Sequence, residues 1–85
     1  MVAYKFMFLK RLRDLREDHD LKQESVANLL KITRQQYGLY ETGKRTIPID
    51  LLIILAKYYN VSLDYITGIS DRKDLVLNEK EKVTL

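Results

Sequence analysis

The most restrictive feature of this chain is the three-residue stretch Lys-Ile-Thr at 31–33, which lies between two helical patterns. The segment QESVANLLK before it repeats small and apolar residues at helical spacing, namely Val26, Ala27 and Leu30. After it, Thr33 and Gln36 fit a capping box, in which each side chain bonds the other residue's backbone N–H, so a new helix begins there. Two helices joined by so few residues predict a helix-turn-helix arrangement.

Three further helical segments surround this pair. The first covers residues 6–18, the fourth covers 49–59 with Pro48 in its first turn, and a short fifth covers 63–67 after the capping residue Ser62. Their apolar spacing predicts a buried face made of Phe8, Leu12 and Leu15 in the first helix and of Leu51, Leu52, Leu55 and Tyr59 in the fourth.

These patterns predict an all-α fold in a single compact domain of five helices, residues 1–70. Residues 71–85 are charged and weakly periodic, which is typical of a flexible tail. The alternation in residues 2–6 allows a short strand, but a frayed entry to the first helix is favoured.

Composition narrows the classes of function. The chain has no cysteine, which removes disulfides, thiolate metal sites and thiol nucleophiles and fits a reducing cytoplasm. Its one histidine, His19, is a metal ligand or a solvated loop residue, and the absence of cysteine ligands favours the loop. Because no nucleophile beside a base and no phosphate-binding glycine loop is recognisable, we expect neither an enzyme nor a cofactor or metal.

Membrane segments are not expected either. The apolar run at 47–56 is too short to span a bilayer and is interrupted by Asp50. The first residues lack the charge order, the apolar length and the cleavage site of a signal peptide. A cytoplasmic location is therefore expected.

Positive charge is concentrated in one segment. Residues 31–45 contain four cations and only Glu41 as an anion, while the rest of the chain has equal numbers of each, so this segment holds the whole formal net charge of +3. A local basic surface on a balanced domain is typical of a protein that binds the nucleic-acid backbone, although chance clustering of surface cations remains the alternative.

The third helix has two chemically different faces. At about 100° per residue, Tyr37 and Tyr40 share one face and should turn inward. The opposite face is predicted to read DNA bases and consists of Arg34, Gln35, Gly38 and Leu39. Arginine fits the acceptors of guanine, glutamine pairs with adenine, leucine meets a thymine methyl group, and glycine lets the helix lie deeper in a groove. Singly, each residue is better explained as ordinary surface; together, beside the basic segment, they favour DNA recognition.

Other polar residues are placed to contact phosphates. Lys44 and Arg45 follow the third helix directly, and Gln23 begins the second helix, where free backbone N–H groups attract anions. The predicted phosphate-contacting set is Gln23, Thr33, Gln36, Lys44 and Arg45.

Residues 12–68 resemble the Cro/C1-type (Xre family) helix-turn-helix domain of phage repressors and small bacterial regulators. The resemblance implies a lambda-repressor-like fold of five helices, with the third helix in the major groove and a homodimer on a palindromic operator. It matches Arg34, Gln35 and Leu39 to base-reading positions, and it matches Gln23, Lys44 and Arg45 to backbone contacts. It also implies a structural pair between Arg16 and Glu41.

Two residues depart from the family pattern. Lys22 replaces the serine or threonine that usually caps the second helix. Lys31 occupies a turn position where glycine or asparagine is frequent, which implies either strain or a different turn geometry.

The sequence therefore predicts a dimeric, sequence-specific regulator of transcription, acting mainly as a repressor on double-stranded DNA. The alternative is an antitoxin or similar regulator that acts through a protein partner, with DNA binding secondary. For that alternative, the apolar residues of the tail, Leu75, Leu77, Val83 and Leu85, are the candidate contact.

Overall fold

The computed structural model describes residues 9–73, and these form five α-helices without a strand. Their bounds are α1 Lys10–Asp18, α2 Gln23–Leu30, α3 Arg34–Glu41, α4 Ile49–Tyr59 and α5 Leu63–Thr67. The predicted all-α, lambda-repressor-like fold is thereby confirmed. Phe8, the weak alternation at 2–6 and the apolar residues of the tail lie outside the described residues.

The turn between α2 and α3 follows the predicted chemistry. Gln36 donates its backbone N–H to Oγ1 of Thr33 over 3.0 Å, and the Thr33 N–H is 3.5 Å from Oε1 of Gln36, which completes the capping box. Lys31 ends α2 in the left-handed conformation, with φ 59° and ψ 42°. Helix α2 has no side-chain cap at Lys22. Of the two alternatives at Lys31, the structure therefore shows strain, because a residue with a Cβ adopts the left-handed conformation.

Changing Lys31 to glycine should raise the free energy of unfolding by about 1 kcal/mol, since the left-handed conformation is unfavourable for residues with a Cβ. Urea denaturation followed by circular dichroism measures this change. Asn60 ends α4 in the same conformation, at φ 58°, but asparagine tolerates it better. Asn60→Gly should therefore gain less, and an equal gain at both sites would contradict the explanation.

The core lies between the buried faces of all five helices. Leu12, Val26, Tyr37, Leu55 and Ile66 are its most deeply buried large side chains. In α4, Leu52, Leu55 and Tyr59 are buried as predicted, Leu51 is half-buried and packs against the core, and Ala56 joins the core in addition to the predicted residues. Pro48 precedes α4 as its N-cap, one residue before the predicted first turn.

The end of the described chain is attached to α1. Nη1 of Arg11 donates to the carbonyl oxygens of Tyr65 and Ser70 over 2.8 and 2.7 Å, and Nη2 lies 2.6 Å from the carboxylate of Asp71. The guanidinium group also stacks over the Tyr65 ring, 4.0 Å from its centre. Ser62 also donates its N–H to the Lys73 carbonyl oxygen over 2.9 Å, so hydrogen bonds attach the described chain to the domain as far as Lys73, while the boundary at residue 70 stays a prediction.

His19 follows α1. Its Nδ1 lies 2.9 Å from the carbonyl oxygen of Leu15, and its ring centre lies 4.8 Å from that of Tyr59. Within residues 9–73, no group of three histidine or acidic side chains is arranged to hold a metal ion. No helix in this range has the length and apolar character needed to cross a membrane.

Candidate nucleic-acid interface

The two faces of α3 are oriented as the helical wheel predicts. Tyr37 has no exposed surface and Tyr40 is buried, so this face fixes the helix against the core. On the other side, Arg34 and Gln35 are exposed, whereas Gly38 and Leu39 are partly exposed. The exposed side of α3 therefore consists of residues that contribute little to the core.

These four residues form part of one concave surface. It is also lined by side chains from other elements, and its full lining is Gln23, Arg34, Gln35, Gly38, Leu39, Thr42 and Lys44. We call this set the reading surface. It brings the four predicted base-reading residues together with two of the predicted phosphate-contacting residues, Gln23 and Lys44. The other three, Thr33, Gln36 and Arg45, are exposed outside this lining.

Thr42 is the one member that the sequence interpretation missed. Its hydroxyl group donates within α3, lying 3.0 Å from the Gly38 carbonyl oxygen and 3.2 Å from that of Leu39. Position 42 is one residue beyond the end of α3, and it falls on the same face as Arg34 when the helical wheel is extended to it. The helical spacing in the sequence is therefore a signal that could have found Thr42.

A buried polar network lies behind the reading surface and joins α1, α2 and α3. Nε of Arg16 lies 2.5 Å from Oε2 of Glu41, and Nη2 lies 3.2 Å from Oε1. Nη1 of Arg16 donates to the Leu21 carbonyl oxygen over 2.8 Å, and Nε2 of Gln23 donates to Oε1 of Glu41 over 3.0 Å. The side chains of Arg16 and Glu41 are only 13% and 4% exposed. This pair has the geometry of a structural contact between helices.

The network stabilises the charged form of Glu41. Burial alone would raise the pKa of this carboxyl group, but hydrogen bonds, that from Arg16 first, outweigh burial and lower its pKa below the usual glutamate value. The same hydrogen bond raises the pKa of Arg16. The Tyr37 hydroxyl is buried beside this carboxylate without reaching hydrogen-bond geometry, and burial raises its pKa.

Gln23 links the network to the reading surface. Its Nε2 carries two hydrogen atoms, and the one that bonds Glu41 leaves the other available to an external acceptor. Its Oε1 lies 3.6 Å from the place that a Cβ on Gly38 would occupy. The bond to Glu41 therefore holds the Gln23 amide at the edge of the surface.

The loop after α3 is attached through its backbone. The N–H groups of Lys44 and Arg45 both donate to the Leu39 carbonyl oxygen, over 3.0 and 3.1 Å. Gly43 precedes them with φ 81°, a conformation that favours glycine. This arrangement fixes the backbone of two exposed cations beside the end of α3 and leaves their side chains free to extend.

Comparisons with known proteins also indicate a helix-turn-helix domain. A helix-turn-helix family model matches residues 12–66. A Bacillus subtilis HTH-type transcriptional regulator, YobD, is 42% identical over 74 residues, which cover 87% of this chain and 66% of the relative. The cryptic phage CTXphi transcriptional repressor RstR of Vibrio cholerae is 39% identical over 57 residues, covering 67% of this chain and 51% of the repressor.

A third relative has a different description. The antitoxin PezA of Streptococcus pneumoniae is 33% identical over 79 residues, which are 93% of this chain and 48% of the antitoxin. The chain thus spans about half to two thirds of the length of these relatives. No solved structure gives a significant match.

Proposed function

This chain belongs to the Cro/C1-type helix-turn-helix family of DNA-binding transcriptional regulators, and we propose that it is a repressor that binds a palindromic operator as a homodimer in the cytoplasm. The observation that carries the proposal is the reading surface, on which exposed Arg34 and Gln35 stand on a helix fixed by buried Tyr37. The repressor RstR among the relatives supports the direction of regulation.

In the proposed complex, α3 lies in the major groove with its N-terminal residues at the base edges. Arg34 donates two hydrogen bonds to O6 and N7 of a guanine, and Gln35 pairs with N6 and N7 of an adenine. Leu39 packs against a thymine methyl group, and Gly38 brings the helix backbone close to the base edges. These roles use exposed donor groups of Arg34 and Gln35, the exposed acceptor oxygen of Gln35, and the partly exposed surface of Gly38 and Leu39.

Phosphate contacts would set the depth and register of α3. The second hydrogen of Gln23 Nε2 and the uncapped N–H groups at the start of α2 point to one backbone contact. Lys44 and Arg45 supply cations just after the C-terminal end of α3. The capping box leaves the Thr33 hydroxyl proton and the Gln36 amide hydrogens as further donors.

Selection of bound duplexes from random DNA tests the proposal as a whole. A palindromic consensus whose half-sites are about 34 Å apart is expected, since two α3 helices related by a two-fold axis enter successive major grooves on one side of the duplex. A protein that selects no sequence, at low salt as well as at physiological salt, would overturn it.

Removing a base-reading residue should reduce sequence discrimination, whereas removing a phosphate-contacting residue should reduce the affinity for all duplexes. Arg34→Ala and Gln35→Ala should each reduce discrimination at one base pair by about 1–3 kcal/mol, while Lys44→Ala should weaken all duplexes alike. Titrations of the selected operator and of single-base variants measure the first effect. For Lys44→Ala, the slope of log affinity against log salt concentration should also fall by about 1.

Gly38 offers a sharper test because its change should separate stability from DNA binding. An added Cβ would meet only Oε1 of Gln23, at an ordinary contact distance of 3.6 Å, so the fold does not require glycine here. Gly38→Ala should therefore raise the free energy of unfolding by about 1 kcal/mol through helix propensity. It should also weaken operator binding severalfold, because the methyl group lies on the reading surface.

Asn28→Ala is the matched control for this change, since Asn28 is exposed on α2 outside the reading surface. It should also gain helix propensity, but its operator affinity should stay unchanged. If Gly38→Ala bound the operator as tightly as the natural chain, the proposed close approach of α3 to the bases would be wrong.

A second candidate function follows from the similarity to the antitoxin PezA. In this case the chain acts through a protein partner that contacts the tail, residues 71–85, and DNA binding is secondary. A chain ending at Lys73 would then lose the partner while keeping its DNA affinity. If Arg34→Ala and Gln35→Ala left the preferred operator sequence unchanged, this candidate would be favoured over the first.

A further inference from the structure

The outer face of α4 is unusually apolar for a solvent-facing helix. Ile49, Ile53, Ile54 and Tyr58 are 61%, 37%, 40% and 49% exposed. Ile53 and Ile54 lie opposite the buried face formed by Leu52, Leu55, Ala56 and Tyr59, and Ile49 and Tyr58 lie at the two edges of the exposed face. An apolar surface concentrated on one helix marks a contact with another macromolecule.

The order of residues on this face identifies the partner. The pattern is centred between Ile53 and Ile54. Each residue on one side of this centre has a counterpart at the same distance on the other side, either of opposite charge or also apolar. Asp50 lies three residues before Ile53, and Lys57 lies three residues after Ile54. At the two ends, Ile49 and Tyr58 are four residues beyond the same isoleucines. A face of this kind matches its own copy when the copy runs in the opposite direction.

We infer that α4 pairs antiparallel with α4 of a second copy of this chain, about a two-fold axis that passes between Ile53 and Ile54. A two-fold interface must be self-complementary, because each residue pair occurs twice with its members exchanged. This pairing meets that condition with charges as well as with apolar groups. The inference rests on the proposed dimeric function and identifies the surface that makes the dimer.

The charges on this face support a second copy over an unrelated partner. Asp50 and Lys57 are both exposed, and neither forms an ion pair with another residue of the described range 9–73. In the antiparallel pair, Asp50 of each chain faces the partner's Lys57, so two ion pairs flank the four central isoleucines. Opposite charges across an interface fix its register and exclude wrong alignments.

The helix dipole accounts for part of this pattern but not for all of it. An acidic residue in the first turn and a basic residue in the last turn stabilise any helix. The dipole does not explain why four apolar side chains share the exposed face with these charges. Contact with a second copy of the chain explains these apolar side chains.

The dimer should be weak in the absence of DNA. A helix of 11 residues is about 16 Å long, so one helix pair falls below the size of a standard stable interface. An operator with two half-sites would then hold both copies together. Measurements therefore need high protein concentration and low salt, where exposed charges are least screened.

Charge exchange in the full chain tests the pairing. Asp50→Lys and Lys57→Asp should each weaken dimerisation about tenfold or more in sedimentation equilibrium, because each places like charges opposite one another twice. The double variant should restore the affinity of the natural chain. An equimolar mixture of the two single variants should form heterodimers more readily than either variant dimerises alone.

Asp64→Lys is the control for the helix-dipole effect, since Asp64 is an exposed acidic residue in the first turn of α5. This variant should dimerise as the natural chain does. Circular dichroism of every variant shows whether it is folded. A natural chain that stays monomeric at millimolar concentration, or a double variant that is as weak as the single variants, would overturn the inference.

The same variants separate this inference from the proposed function. The double variant keeps the net charge, so a mixed-sequence duplex at low salt should bind it as it binds the natural chain. If DNA binding were unchanged and the dimerisation affinity did not respond to the charge exchange, the α4 interface alone would be refuted. Loss of DNA binding by the natural chain would refute the proposed function instead.

Discussion

Replacing Glu41 with alanine should lower the free energy of unfolding by about 3–5 kcal/mol, which is the usual cost of leaving one member of a buried ion pair without its partner. The change leaves the largely buried guanidinium group of Arg16 with one remaining acceptor, the Leu21 carbonyl oxygen. It also removes the acceptor of the Gln23 amide. Small domains have only about 5–15 kcal/mol of stability in total, so this loss is large. Urea denaturation at neutral pH measures it.

Glu17→Ala is the matched control because it removes the same charge from an exposed pair. Glu17 accepts from Arg13 over 3.0 Å on the surface of α1, with the two side chains 53% and 65% exposed. Such a pair contributes about 0.3–0.5 kcal/mol. If the two variants lost similar stability, the buried network would not have the role assigned to it here.

The acid response should single out the same residue. Because the folded-state pKa of Glu41 lies below its ordinary value of 4.5, the unfolded state binds the proton more tightly. The contribution of Glu41 to stability is therefore complete above pH 4.5 and is lost as the pH falls through the lowered pKa. Between neutral pH and strongly acid pH, the natural chain should lose more stability than Glu41→Ala. Parallel acid responses would contradict the lowered pKa.

Tyr37→Ala should have a comparable effect, about 3–5 kcal/mol, because it removes the largest fully buried side chain among residues 9–73. The cavity would lie directly beneath the reading surface, where the Tyr37 ring supports α3. Under conditions in which the variant remains folded, its operator affinity should fall although no DNA-contacting group has been changed. Denaturation and DNA titration of the same preparation give both values.

Tyr37→Phe keeps the ring and removes only the hydroxyl group, which has no hydrogen-bond partner among the described residues. Its stability should therefore stay within about 1 kcal/mol of the natural chain, with a gain expected because an unsatisfied buried polar group is removed. Operator affinity should be unchanged. A large loss from Tyr37→Phe would show that the hydroxyl group contributes a contact to Glu41.

Local signals in the sequence were sufficient for most of the secondary structure. The capping box of Thr33 and Gln36 and the cap at Ser62 depend on residues three positions apart, and both occur as expected. The orientation of α3 also followed from its own pattern, since buried tyrosines and exposed polar residues are separated by the helical period alone. These features require no knowledge of the rest of the chain.

Errors arose where the outcome depended on a neighbouring element. The sequence did not identify Ala56 as part of the buried face of α4, because the limits of this face depend on how the helix packs against the others. Gln23 was considered only as a phosphate contact, but its amide also bonds Glu41, which lies 18 residues further along the chain. Thr42 was missed because it lies just beyond the last residue of α3, and only the folded structure places it beside Gln23 and Lys44.

The sequence by itself therefore determined the five helices, the N-terminal caps of α3 and α5, the family and the outward face of α3, because hydrogen bonds and side-chain periodicity act over three or four residues. The tertiary structure decided which side chains share the reading surface, how Arg16, Gln23 and Glu41 meet, and that the apolar outer face of α4 is left uncovered within the described chain. Those outcomes depend on the relative placement of helices that are far apart in sequence. That placement is set by the packing of the whole core and not by any single segment.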